Sequence, residues 1–146
     1  MTDLLFALLH HLAIFALFGY FVAEIALVRE GMSPAEAGEL AKVDHAYGML
    51  SLAVLAIGFA RAVLAAKGWD YYAHNGFFWA KIAAFAAVGA LSIVPTLRYI
   101  AWRKSGQAPD AAEVARVRRF LLAQLALFAL IPLFAAAMAR GYGQWA

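Results

Sequence analysis

Four apolar runs, each about as long as a bilayer is thick, alternate with short polar connections along the chain. They predict helices over residues 4–28, 43–66, 76–102 and 112–139, since a hydrocarbon core of about 30 Å takes roughly 20 apolar residues in helical form. In the first connection, R-E-G-M-S-P-A-E-A-G-E-L-A-K, Gly31 stops one helix while Ser33 and Pro34 read as an N-cap and first turn. A short amphipathic piece lying at the surface is expected there. Lys67-Gly68 closes the second run. Pro95 is expected to kink the third helix or loosen its last turns, and Pro132 falls inside the fourth. No repeat or linker divides residues 1–146, which read as one all-α domain, a four-helix transmembrane bundle.

Composition agrees with that pattern. The chain is 66% hydrophobic and 14% charged, against about 45–50% and about 25% in soluble domains. A net charge of +3 and a pI near 9.4 are no nucleic-acid signal, because the basic residues flank apolar runs, where they serve topology and lipid headgroups. Cysteine is absent, which excludes disulfides, thiolate catalysis and Cys-ligated metals. Neither a phosphate-binding glycine loop nor a nucleophile elbow is present. The first run begins with Asp3, without Lys or Arg, and passes no small-residue cleavage site, so a retained helix is expected rather than a secretory signal. Eight of the twelve Lys and Arg residues flank the first and third connections. That asymmetry predicts those connections in the cytoplasm, with both termini and the Arg61–Lys81 segment on the periplasmic side of a bacterial inner membrane.

Charged groups within apolar runs are costly and turn inward. On the first helix, Glu24 lies about 40° around the axis from His10 and roughly 140° from His11, so His10 shares its inward face and Tyr20 joins the same polar stripe. Glu24 reads either as half of a buried ion pair or hydrogen bond, or as a group with chemistry of its own. Asp44, Gly48, Ser51, Leu55 and Gly58 form a seam of small residues on the second helix. Asp44 also suits the start of that helix, whereas His45 reads as interfacial. Lys81 stands inside an apolar run, paired with Glu24 or a lipid phosphate, or else clamping an anionic ligand or offering a neutral amine. Helix four contributes Gln124 and packing. Tyr20, Glu24, Asp44 and Tyr72 are the expected buried polar support.

Antiparallel connectivity brings the start of helix one, the end of helix two and the start of helix three to one membrane face. His10, His11, Arg61, Lys67, His74 and Lys81 are therefore expected to converge there, rimmed by Trp69, Tyr71, Tyr72 and Trp79. Helical bundles build cofactor sites from such inward side chains. Two imidazoles, or an imidazole and an amine, can ligate a haem iron axially, with Arg61 and Lys67 neutralising its propionates. His10, His11 and His74 are also the candidate metal ligands. The alternative is a structural belt of polar residues at the interface.

The strings L-L-H-H, V-D-H-A-Y-G, G-F-A-R, K-G-W-D-Y-Y-A-H-N-G-F-F-W-A-K, L-S-I-V-P-T and W-R-K, with Glu24, resemble a bacterial four-helix membrane family filed only as a domain of unknown function. The likeness covers nearly the whole chain and implies the fold. More distantly, the chain resembles the HemJ type of protoporphyrinogen oxidase and the CopD-like membrane group. His10 or His11 matches the early histidine of the HemJ type, and Lys81, in F-W-A-K-I-A-A-F, matches its later lysine. That resemblance implies haem b binding and oxidation of protoporphyrinogen. The loops, Glu24 and the Tyr71-Tyr72 pair depart from it.

Three functional readings follow. The first is a haem-b-binding oxidoreductase acting on a porphyrin or quinone. The second is a non-redox binding or transport protein for an anionic ligand or metal ion. The third is a structural subunit or homo-oligomer packed through Gly19, Ala23, Ala26 and Gly89. All three place the protein in a lipid bilayer.

Overall fold

Helix starts and stops in this chain are set by a few capping side chains between the apolar runs. The computed structural model describes residues 2–64 and 67–145. They form α1 (Thr2–Leu27), α2 (Pro34–Leu64), α3 (Gly68–Ala73), α4 (Gly76–Ser105) and α5 (Ala111–Ala139). The four long helices are each long and apolar enough to cross a membrane, and the fold is an all-α four-helix membrane bundle.

The amphipathic segment after α1 is not a separate surface piece. It is the first part of α2, which runs unbroken for 31 residues. Ser33 and Glu36 close a capping box: Glu36 N donates to Ser33 Oγ at 3.2 Å and Ser33 N donates to Glu36 Oε2 at 2.7 Å. An ion pair from Arg29 to Glu36 fastens the same turn. From there Ala37, Leu40, Ala41, Asp44 and Tyr47 are all buried. Their three- and four-residue spacing continues one inward face across the supposed boundary at Val43. The expected end of this helix at Ala66 lies outside the described residues.

The connection before α4 contains the six-residue helix α3. Asn75 then caps α4, accepting from Phe77 N at 3.0 Å and Phe78 N at 3.1 Å. Pro95 lies inside α4 without ending it, and the helix continues to Ser105, where Gly106 at φ +64° provides the left-handed cap. Asp110 caps α5 by accepting from Glu113 N at 2.7 Å. Pro132 likewise sits within α5.

α1 packs chiefly on α2 and α4 on α5, and these two hairpins meet through α2 and α4. The shared core is densest toward the two short connections, where Phe21, Tyr47, Tyr99, Trp102 and Val117 are buried together. We call that the loop end of the bundle. At the opposite, terminal end both chain ends are tied to the bundle: Asp3 faces Arg61, and Trp145 N donates to His74 O at 3.1 Å. Large apolar side chains such as Leu12 and Phe15 stay exposed on the outside of α1, as a surface solvated by lipid requires.

Candidate functional site

Three helices deliver one basic or imidazole side chain each to the terminal end. His10 comes from α1, Arg61 from the last turn of α2 and Lys81 from the second turn of α4. Lys81 and Arg61 both lie near enough for their charges to act on the His10 ring, and Arg61 acts likewise on Lys81. His10 reaches this position because residue 58 is glycine: a Cβ there would stand 3.0 Å from His10 Cε1. The small-residue seam of α2 therefore admits the imidazole as well as a neighbouring helix.

The site carries few acceptors. Asp3 is the carboxylate facing Arg61, with 3.8 Å between Oδ1 and Nε, too long for a hydrogen bond. Arg61 Nε and His10 Nδ1 are both buried without a hydrogen-bond partner. Beside them Phe59, Trp69, Tyr72, Phe78 and Trp79 stack in edge-on and tilted pairs with centroids 5.3–6.5 Å apart. Lys81 Nζ lies 5.5 Å from the Phe78 ring centre, within cation–π range.

The remaining expected members stand apart from this group. His11 is exposed, and its Nδ1 donates to Ala7 O at 2.6 Å. His74 donates from Nδ1 to Asp70 O at 2.9 Å and lies 3.3 Å from the Asp70 carboxylate, on α3 and its cap. Lys67 sits over the Tyr71 ring at 4.2 Å. Tyr72 joins the aromatic cluster. Tyr20 is 41% exposed, because the buried stripe of α1 runs through Leu17, Phe21, Glu24 and Val28 and leaves residue 20 on its outer flank. Among the described residues, no three His, Cys, Asp or Glu side chains are grouped to hold a metal ion.

Glu24 does not meet Lys81. Fourteen residues of α1 separate it from His10, roughly 21 Å at about 1.5 Å per residue, and its charged neighbour is Asp44. Glu24 is 2% and Asp44 6% exposed. Thr96 Oγ1 donates to Asp44 Oδ1 at 2.7 Å, a bond joining α2 to α4.

Sequence reasoning passed over two residues at the terminal end. Asp3 was visible only as a first-turn acid. Asn75, wholly buried, was legible as an Asn immediately before a helix start, a preferred cap.

Four bilayer-length helices with ionisable groups turned inward at both ends define a small polytopic membrane protein. Residues 2–143 match the family described as predicted membrane protein (DUF2214), and the chain belongs to that family. No curated protein and no solved structure matches it. Nothing in these comparisons supports similarity to HemJ-type oxidases or the CopD-like group.

Proposed function

We propose that the terminal end binds the anionic group of an amphiphilic ligand, with Arg61 and Lys81 meeting the charge and His10 completing the polar contact. One observation carries this reading. Among the described residues, two basic side chains and an imidazole converge against one poorly engaged carboxylate, leaving Arg61 Nε and His10 Nδ1 buried and unpartnered. Buried donors without acceptors are costly, and a carboxylate or phosphate offers acceptors of matching charge. The aromatic cluster beside them supplies an apolar wall for the rest of such a ligand.

The test is thermal unfolding in a neutral detergent, with lysophosphatidylglycerol titrated against lysophosphatidylcholine. The anionic lipid should raise the midpoint saturably, an effect lost in Lys81→Ala and Arg61→Ala and kept in Lys67→Ala. An equal response in the Arg61/Lys81 double variant defeats the proposal.

Haem b is a second reading, favoured by the inward, partner-free Nδ1 of His10 beside Lys81. His10 and Lys81 would hold the iron, and Arg61 would take a propionate. His11 and His74 are turned to their own helices. Bound haem would supply one-electron chemistry toward a porphyrin or quinone, and the chain would then be an oxidoreductase. A Soret band in purified protein, lost in His10→Ala, supports it. Colourless protein that gains nothing on adding hemin excludes it.

In the bacterial cytoplasmic membrane expected for this chain, the Lys and Arg asymmetry favours the loop end inside. Since the chain has no cysteine, Ser105→Cys and Gln144→Cys report this directly. A membrane-impermeant thiol reagent on intact cells should label only the latter.

A further inference from the structure

The loop end holds a second polar group, separate from the proposed anion site. We propose that Glu24, Asp44, Thr96, Tyr99 and Gln124 form a binding site for one hard, oxygen-seeking metal cation of the sodium or calcium kind. The carboxyl groups come from adjacent helices, are almost completely buried and lie within each other's field. Two carboxylates in a protein interior need compensation that solvent does not give them there.

Among the described residues no basic side chain provides it. On α1 no Lys or Arg precedes Arg29, which pairs with Glu36. On α2 Lys42 pairs with Glu39 at 2.7 Å, and His45, next to Asp44 in the chain, is exposed. On α4 Arg98 donates to Glu113 at 3.2 Å. On α5 Arg118 donates to Val28 O at 2.7 Å. The remaining titratable neighbours are the phenols of Tyr47 and Tyr99, both within reach of the two carboxyls.

Oxygen atoms, by contrast, are in surplus. Tyr99 is 0% exposed and its hydroxyl has no partner. Glu24 Oε1 and both amide atoms of Gln124, 1% exposed, are equally unpartnered. Helix register directs Gln124 to the same place. Phe128, one turn further along α5, packs on Phe21 at 5.0 Å, and Arg118 reaches Val28. Those antiparallel pairings set Gln124 level with Glu24. An all-oxygen donor set of carboxylate, hydroxyl and amide groups suits hard cations. With both carboxyls ionised it balances a divalent ion, and with one proton retained a monovalent one. Entry is available through an open cleft of about 320 Å³ between α2 and α4, lined by Asp44, Ser51, Ser92 and Thr96.

The experiment is thermal unfolding of the full chain in neutral detergent at constant ionic strength, with choline chloride as baseline and sodium, calcium and magnesium chlorides as arms. At least one metal should raise the midpoint saturably at pH 8. Its half-saturating concentration should increase as pH falls, because protons compete for the carboxyls. The response should vanish in Asp44→Asn, weaken about tenfold or more in Thr96→Val, and persist in Lys81→Ala, which separates this site from the anion site. Thr96→Val decides the matter if Asp44→Asn does not fold. Identical midpoints in choline and every metal from pH 6 to 9 overturn the proposal, as does an undiminished response in both Asp44→Asn and Thr96→Val.

Discussion

Asn75 fixes where α4 begins and therefore where Lys81 stands. Its side chain makes four hydrogen bonds in a position with no solvent exposure. Oδ1 accepts from Phe77 N and Phe78 N at 3.0 and 3.1 Å. Nδ2 donates to Tyr142 O at 3.0 Å and to Gln144 Oε1 at 2.7 Å. Asn75→Ala removes both sets. The cap is worth about 1 kcal/mol, and the two donations contribute about 1 kcal/mol each, so the loss should be about 2–3 kcal/mol. Asn75→Ser separates the terms, because a serine hydroxyl keeps the cap while losing the donations to the tail. It should fall between wild type and the alanine variant. Equilibrium unfolding in mixed micelles, followed by tryptophan fluorescence, gives the order. Trypsin cleavage after Arg140 gives an independent reading and should accelerate in both variants. The reasoning would be refuted by an alanine variant within about 0.5 kcal/mol of wild type, or by equal losses in the two.

Two further substitutions probe the same end. Gly143 has φ +77°, and a Cβ there would meet Phe77 Cδ2 at 2.6 Å, whereas Gly141 at φ +82° has nothing within 4 Å. Gly143→Ala should therefore destabilise by more than the roughly 1–2 kcal/mol expected for left-handed backbone alone, and Gly141→Ala by about that amount, in the same unfolding assay. Gly58→Val pushes against the His10 ring, 3.0 Å from the nearest added carbon. It should weaken the lysophosphatidylglycerol response while leaving helix content by circular dichroism unchanged.

The four long helices were legible because apolar runs of bilayer length admit few other solutions. The early start of α2 was not, since Ser33-Pro34 and Val43 both look like beginnings. Only the buried spacing from Ala37 through Tyr47 shows that one helix carries both. Antiparallel order sufficed to bring His10, Arg61 and Lys81 to one end. It could not exclude His74 and Lys67, whose places are set by local contacts on α3 with Asp70 and Tyr71. Nor does any hydropathy signal mark residues 142–145, which fold back on the start of α4 through Gly76 N to Gly143 O at 2.8 Å and the Asn75 bonds. Tyr99 and Gln124 were visible as polar letters in apolar helices. Their lack of partners is a tertiary fact.

Both polar groups fall where the two hairpins meet. Arg61 and His10 belong to the first hairpin and Lys81 to the second; Glu24 and Asp44 belong to the first, Thr96, Tyr99 and Gln124 to the second. Within a bilayer, apolar contact between helices gains little over contact with lipid, so association rests on close packing and polar bonds. Each hairpin has the close packing, whereas the contact between hairpins includes few direct polar bonds, among them Thr96 to Asp44 and Arg118 to Val28 O, and several buried atoms still unpaired. Such atoms weaken the junction when bare and strengthen it when matched by a ligand. A cation at the loop end and an anion at the terminal end would each clamp the same pair of hairpins. Binding favours the joined state by RT ln(1 + [L]/Kd), about 2.7 kcal/mol at a hundredfold excess over Kd. The unpaired atoms are then the places where this bundle's stability answers to what it binds.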